Sequence, residues 1–205
     1  VRALPGDLGA VVLNAGSHDV TIVRPAGGLG QYGTTTLDVP PFHNRLTLSP
    51  DGAWAFAWYT PAVGQPIGSL ADVSAIRTTP GQEAVFNVAV GVRPEAVLFD
   101  GSGQRAFVLC EDGISVVDLA TLSMILGMGM RLARRFEEAE KHLKRARAIY
   151  EASDDADVED LCGAISELAT VYDIQGKYAE AKRLHTEVLE RTRAEYGPDH
   201  LNTGY

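Results

Sequence analysis

The run Ile165-Ser166-Glu167-Leu168-Ala169-Thr170-Val171-Tyr172-Asp173-Ile174-Gln175-Gly176-Lys177-Tyr178-Ala179-Glu180-Ala181 decides how the second part of the chain is read. Ile165, Leu168, Ala169 and Tyr172 recur at i, i+3, i+4 and i+7, one face of an α-helix. Tyr178, Ala181, Leu184, His185, Val188 and Leu189 repeat that spacing after Gly176. Glycine can end the first helix by taking the left-handed conformation. The small Ala181 sits where the two helices of a hairpin must approach closely.

The same hairpin is written once before. Leu126, Gly127, Met130, Phe136, Ala139, Leu143 and Ala146 each lie 42 residues ahead of Leu168, Ala169, Tyr172, Tyr178, Ala181, His185 and Val188. Ala139 is the small residue of that earlier pair. The spacing predicts helices over 123–134, 137–152, 158–175 and 178–195. Asp154, Asp155 and Asp157 stand where an N-cap and an acidic first turn favour the third helix. Arg134 occupies the place of Gly176, which predicts a less regular first turn.

These residues resemble the tetratricopeptide repeat, with its L-G-x2-Y, A-x3-F and A pattern. The long period and Tyr196-Gly197-Pro198-Asp199-His200 are similar to the kinesin-light-chain variant of that repeat. The resemblance covers 123–205, with the start of a third repeat at Leu201; Ser153-Asp154-Asp155-Ala156 departs from the linker pattern. It implies a concave groove that holds a peptide. In this numbering that groove is lined by Met124, Met128 and Arg131 in the first repeat, and by Ser166, Thr170 and Asp173 in the second. Methionine suits a tolerant apolar groove, although plain core packing explains the same residues. The Lys and Asn of a carboxylate clamp are absent, so capture of a partner's C-terminus is not implied. Lys141, Lys144, Arg145 and Arg147, with Arg131, Arg134 and Arg135, are interleaved with Glu137, Glu138 and Glu140. They read as a solvated, self-paired face rather than a site for an acidic partner.

Working outward, the composition changes near Leu122. Residues 1–122 hold six Arg and no Lys against eleven acids; 123–205 hold the other twelve bases, including all four Lys, against sixteen acids. Nine of the ten Pro and fifteen of the 21 Gly fall in the first part. Both residues punctuate strands and are costly inside helices. The expected organisation is therefore multidomain β + α: β and turn over 1–122, helical hairpins over 123–205.

The β part carries hairpin chemistry. Ala10 to Val23 folds back at Asn14-Ala15-Gly16-Ser17, Leu46 to Tyr59 at Ser49-Pro50-Asp51-Gly52, and Ala96 to Leu109 at Asp100-Gly101-Ser102-Gly103. Another hairpin runs through Glu111-Asp112-Gly113 into Ile114 to Leu119. An Asp-Gly pair between apolar runs favours a hairpin because Gly accepts positive φ. Leu48 to Phe56 lies over Phe99 to Phe107 at a shift of 51, and Val11 to Arg24 lies less strictly over Phe107 to Asp118. An all-β period near 50 means propeller blades. The strand–SPDG–strand pattern and Asp112-Gly113-Ile114-Ser115-Val116-Val117-Asp118-Leu119 resemble the YVTN-type bacterial β-propeller repeats. Roughly two and a half blades are present where closed propellers have about four to eight. The chain is thus expected to be a fragment, a small sandwich, or a piece that closes against a second copy.

Chemistry-bearing residues read mostly as structure. Gly27-Gly28-Leu29-Gly30 lacks the Lys-Ser/Thr of a phosphate loop and no helix follows it, so a surface loop is expected. Asp51, Asp100 and Asp112 read as turn formers rather than calcium ligands. His18 and His43 have no metal partner at a useful spacing, and no Cys/His ligand set exists. Trp54, Phe56 and Trp58 point one way along a strand and read as core. Cys110 and Cys162 read as two buried thiols rather than a disulfide.

The net charge of −9 argues against non-specific nucleic-acid binding. No apolar run reaches the roughly 18 residues of a membrane span. No G-x-S-x-G, H-E-x-x-H or Ser/His/Asp grouping stands out. The expectation is a non-catalytic interaction module or scaffold for a protein or peptide partner, without catalytic residues, metal or cofactor. Exposed repeat ends and edge strands leave room for self-association. The alternatives are an enzyme or ligand-binding propeller in the β part, and a piece of a larger bacterial signalling or surface protein. No signal peptide is visible, and the expected compartment is the cytoplasm, with periplasm or extracellular space as the alternative.

Overall fold

The structure is a computed structural model, and it describes residues 1–27, 30–61, 71–101, 103–153 and 156–197. The chain divides into two compact units, Val1–Val117 and Asp118–Tyr205. Three antiparallel sheets make up the first and four helices the second.

In the first unit the strands follow one another in order. Arg2–Ala3 (β1), Ala10–Asn14 (β2), Asp19–Pro25 (β3) and Tyr32–Asp38 (β4) form a sheet in that sequence. Arg45–Leu48 (β5), Trp54–Trp58 (β6), Asp72–Arg77 (β7) and Ala84–Ala89 (β8) form another. Pro94–Phe99 (β9), Arg105–Cys110 (β10) and Gly113–Asp118 (β11) form the third. Each sheet is therefore a meander of local hairpins, as the turn residues require. The shift of 51 overlays the β5–β6 hairpin on β9–β10. The looser match overlays β2–β3 on β10–β11, so both are second-to-third strand hairpins of their sheets.

Asp51 and Asp100 are used inside their turns, and Asp112 reaches the connection before β9. Asp51 Oδ1 accepts from the Ser49 hydroxyl at 2.6 Å and from the Ala53 amide at 3.0 Å. Asp100 Oδ1 accepts from the Gln104 amide at 2.8 Å, and Asp112 Oδ1 from the Val92 amide at 2.7 Å. Gly52 has φ +66°, and a Cβ there would meet the Pro5 ring, so only glycine fits that turn. Ser102, in the turn of Asp100, lies outside the described residues.

All five residues of β6 are buried, and their sizes alternate. Ala55 and Ala57 join Val11, Val20, Ile22 and Ile76 in a core between the first two sheets. Trp54, Phe56 and Trp58 project from the other face, as their period of two demands. Phe56 meets Phe99 of β9 edge-on at 5.6 Å between ring centroids. Small residues on one face and aromatics on the other let a single strand fill two layers.

The helices are Leu119–Leu132 (α1), Phe136–Ala152 (α2), Val158–Ile174 (α3) and Tyr178–Tyr196 (α4). They form two hairpins of the tetratricopeptide kind. The helical unit starts earlier than the boundary at Leu122, because Asp118 ends β11 and also caps α1 by accepting from the Thr121 amide at 2.8 Å. Asp157 caps α3 through the Glu159 amide at 2.9 Å; Asp154 and Asp155 lie outside the described residues, as do Pro198 to His200 and Leu201.

The 42-residue period is repeated bond for bond between the helices. Arg135 N donates to Met130 O and Lys177 N to Tyr172 O, both at 2.8 Å. Arg134 N donates to Arg131 O and Gly176 N to Asp173 O, both at 3.0 Å. The backbone at Arg134 therefore takes the glycine conformation, with φ +61° against +75° at Gly176. A side chain with a Cβ costs roughly 1–2 kcal/mol in that region. Arg134→Gly is accordingly expected to stabilise the helical unit by about 0.5–1 kcal/mol after the entropy cost of glycine. Urea unfolding followed by helical circular dichroism would measure it, and a destabilised variant would refute the strain.

A core of Leu143, Tyr150, Ile165, Leu168, Tyr172 and Leu184 with six buried alanines joins the hairpins. Glu140 fastens α2 to the second hairpin: its carboxylate accepts from Tyr172 OH and Lys177 Nζ, each at 3.1 Å, and pairs with Lys144 at 2.7 Å. Both lysines also lie over the Tyr172 ring. Burial raises the Glu140 pKa, but these three donors prevail and hold it below the usual carboxylate range.

Candidate functional site

The first helices of the two hairpins, α1 and α3, contribute the candidate groove. Met124 packs against the shared core, and its sulfur lies 3.9 Å from where a Cβ on Gly163 would stand. A Cβ there would be in ordinary van der Waals contact with the methionine. Met128 follows one turn later on α1 and stays half-buried. Arg131 Nε pairs with Glu167 Oε2 at 2.9 Å, linking α1 to α3 with both side chains about a fifth to a quarter exposed. Ser166 and Thr170, on either side of Glu167 along α3, are half-buried. The Thr170 hydroxyl donates back to Ser166 O at 3.0 Å, leaving it an acceptor for any ligand.

Asp173 departs from this group. Its carboxylate meets His185 Nε2 of α4 at 3.2 Å, and both side chains are nearly half exposed. With Tyr178, Lys182, Thr186 and Leu189 it lines a separate hollow of about 360 Å³ on the α3–α4 hairpin. The repeat register placed Arg131 and Asp173 in equivalent positions. Their opposite charges recruit different neighbours, which sequence spacing does not reveal.

The basic run is largely neutralised. Arg135 pairs with Glu138, Arg147 with Glu151 and with Glu187 of α4 at 2.9 Å, and Arg191 with Glu187. Cys162 is buried and Cys110 only half-buried, and both are free. Burial pushes both thiols up, so neither is a thiolate nucleophile near neutrality.

The first unit holds a hollow of about 460 Å³ where β1, β5 and β9 face one another, lined in part by Arg2, Asn44, Arg45, Trp58 and Val97. Arg2 Nε donates to Leu46 O at 2.9 Å, and Asn44 is closed on the Thr60 backbone through both amide atoms. No carboxylate lines it among the described residues. One polar grouping was missed by sequence reasoning: Ser74 Oγ lies 3.1 Å from His43 Nε2 and donates to Asn87 Oδ1 at 3.0 Å. It resembles half of a nucleophile pair. With Ser74 fully buried and its proton given to Asn87, the hydroxyl is a strut between strands. Burial holds His43 below the usual imidazole range, so it is neutral. His43 and Ser74 are 31 residues apart, a separation no local pattern exposes. Among the described residues no three metal-ligating side chains cluster, and no helix is long and apolar enough to cross a membrane.

A family model of the tetratricopeptide repeat matches residues 161–202, the stretch that contains most of α3 and all of α4. No curated protein matches the chain. Among solved structures, a Bacteroides fragilis protein described as a "putative 6-phosphogluconolactonase" aligns with 17% identity and a TM-score of 0.41, over 58% of this chain and 33% of its own. A Bacteroides uniformis protein of the same description aligns with 15% identity and a TM-score of 0.38, over 53% of this chain and 32% of its own. The chain spans about a third of the length of these two structures.

Proposed function

We propose that the protein is a non-catalytic interaction module that binds a peptide segment of a partner along the α1–α3 groove. The observation that carries this reading is the Arg131–Glu167 bridge together with Met124 seated on Gly163. These hold the two first helices side by side and leave Met128, Ser166 and Thr170 half-open along them. The pairing supplies one flexible apolar surface and a row of hydroxyl and backbone acceptors, which suits a peptide better than a reacting small molecule. In this reading the first unit is a set of YVTN-type propeller blades. Three successive meanders and the 51-residue overlay support it. β11 exposes Ile114 and Val116, which favours association of that edge with a further strand.

The test starts from peptides selected against the whole chain from a random display library. Met128→Glu combined with Thr170→Glu is expected to weaken the selected peptides at least about 30-fold, roughly 2 kcal/mol, with helical circular dichroism unchanged. Selected peptides that bind the double variant with undiminished affinity would overturn the groove assignment.

A further inference from the structure

Helix α1 is apolar almost all round: of its 14 residues only Arg131 is charged. A helix of that composition buries more than one side. Two sides are occupied within the hairpins. Gly127 lies against Leu143 of α2, and Arg131 reaches Glu167 of α3. A third side is open. Ile125, Gly129 and Leu132, at i, i+4 and i+7, form a stripe on which Ile125 is 48% and Leu132 75% exposed. Nothing lies within 4 Å of a Cβ built on Gly129.

The 42-residue repeat gives this side its meaning. The counterparts of Ile125 and Gly129 on α3 are Glu167 and Val171. Glu167 is the side chain that meets Arg131 of α1, and Val171 is fully buried. The stripe is therefore the side on which a preceding helix would stack. The residues before α1 are strand instead, since Asp118 ends β11 and caps α1 with no linker between them. Further repeats after α4 would extend the array from its other end and leave this side as it is.

The stripe complements itself in one orientation. In an antiparallel pair with Ile125 of each copy opposite Gly129 of the other, a branched side chain seats twice over bare backbone. The same register brings the C-terminal end of each α1 beside the N-terminal end of the other. Arg134 follows the C-terminal end, exposed and without an ion pair among the described residues. Asp118 stands at the N-terminal end in the field of other acids: burial, then Asp157, Asp118 and Glu159, push the Asp160 carboxyl up. Unlike charges therefore meet at both ends, and the helix dipoles oppose each other. A parallel pair would set arginine beside arginine and acid beside acid.

We infer that α1 is a self-association helix, through which two copies of this chain pair antiparallel along Ile125, Gly129 and Leu132. A single helix pair buries less than the roughly 1,200 Å² of a standard interface, so the dimer is a weak one. The stripe shares no residue with the α1–α3 groove, and the inference does not rest on the peptide reading.

Sedimentation equilibrium of the whole chain from about 5 to 500 µM is expected to show a dimer with a dissociation constant on the order of tens of micromolar. Ile125→Glu with Leu132→Glu should weaken it at least about tenfold, and Arg134→Glu at least about threefold. These substitutions fall on exposed positions, and helical circular dichroism checks the fold. Cysteines read the register. On oxidation, a mixture of Ile125→Cys and Gly129→Cys chains should form a disulfide-linked dimer, and neither variant alone should. Like positions in the pair are offset by four residues, about 6 Å along the axis in addition to the separation across it, which exceeds the roughly 7 Å between Cα atoms that a disulfide spans. The parent chain, with its free Cys110 and Cys162, is the control. A monomer at every concentration, or a dimer that Ile125→Glu/Leu132→Glu leaves intact, would overturn the inference. So would undiminished association of Arg134→Glu, or cross-linking of either cysteine variant with itself as readily as in the mixture.

Discussion

Trp54→Ala is expected to lower the stability of the β unit by about 3–5 kcal/mol, the range for deleting a fully buried indole. Trp54 has no exposed surface, and the Phe86 ring lies tilted beside it at 6.2 Å. The Arg77 guanidinium lies over its ring at 5.0 Å, directly across the β6–β7 pair, and Arg77 is itself 1% exposed. A desolvated cation over an indole contributes on the order of 2 kcal/mol or more. Truncation therefore opens a cavity and strips one face of a buried charge, which places the cost in the upper part of the range. Trp54→Phe keeps a ring under Arg77 and should recover more than half of the loss. Urea unfolding followed by the fluorescence of Trp58, the chain's other tryptophan, reads the effect in this unit. A loss below about 1 kcal/mol would mean that Trp54 is not enclosed between strands in the way described.

The same strand shows what was legible in the sequence. The aromatic and small residues of β6 alternate with period two, so its two faces could be read directly. The turn aspartates and glycines fixed its hairpin and the one 51 residues later. Four strands escaped that reading. β1 has two residues, β4 is the largely exposed Tyr-Gly-Thr-Thr-Thr-Leu-Asp, and β7 and β8 lack a tight Asp-Gly turn between them. Their pairing is dictated by neighbours rather than by local pattern. In the helices the 3.6-residue period and the 42-residue repeat located every element. The start of α1 was displaced because Asp118 serves strand and cap at once, with no loop to mark the change. Of the six candidate residues, Met124, Met128 and Arg131 lie on α1 and Ser166, Thr170 and Asp173 on α3. The contact of Asp173 with His185 of α4 is one that an apolar spacing rule does not show.

Gly127→Val is expected to destabilise the helical unit by about 2–3 kcal/mol, whereas Gly129→Ala, two residues along α1, should stabilise it by about 0.5–1 kcal/mol. A Cβ on Gly127 would lie 2.5 Å from Leu143 Cγ, 2.7 Å from its Cδ2 and 3.3 Å from the Ala139 carbonyl oxygen. Leu143 is fully buried and the carbonyl belongs to the α2 backbone, so neither can step aside without moving the helix. Valine adds two γ-carbons to that contact and pays the χ1 restriction of a branched residue in a helix. Nothing lies within 4 Å of the corresponding position on Gly129, so there alanine only removes the backbone entropy of glycine. The second hairpin reaches the same packing with Ala169 and His185 in place of Gly127 and Leu143, which allows a Cβ on its first helix because His185 turns out to Asp173. Opposite signs at two positions two residues apart separate close helix contact from helix propensity, since propensity alone would make both substitutions neutral or favourable. Helical circular dichroism during urea unfolding resolves the pair, and a Gly127→Val variant as stable as the parent would mean that α1 and α2 do not meet at Leu143.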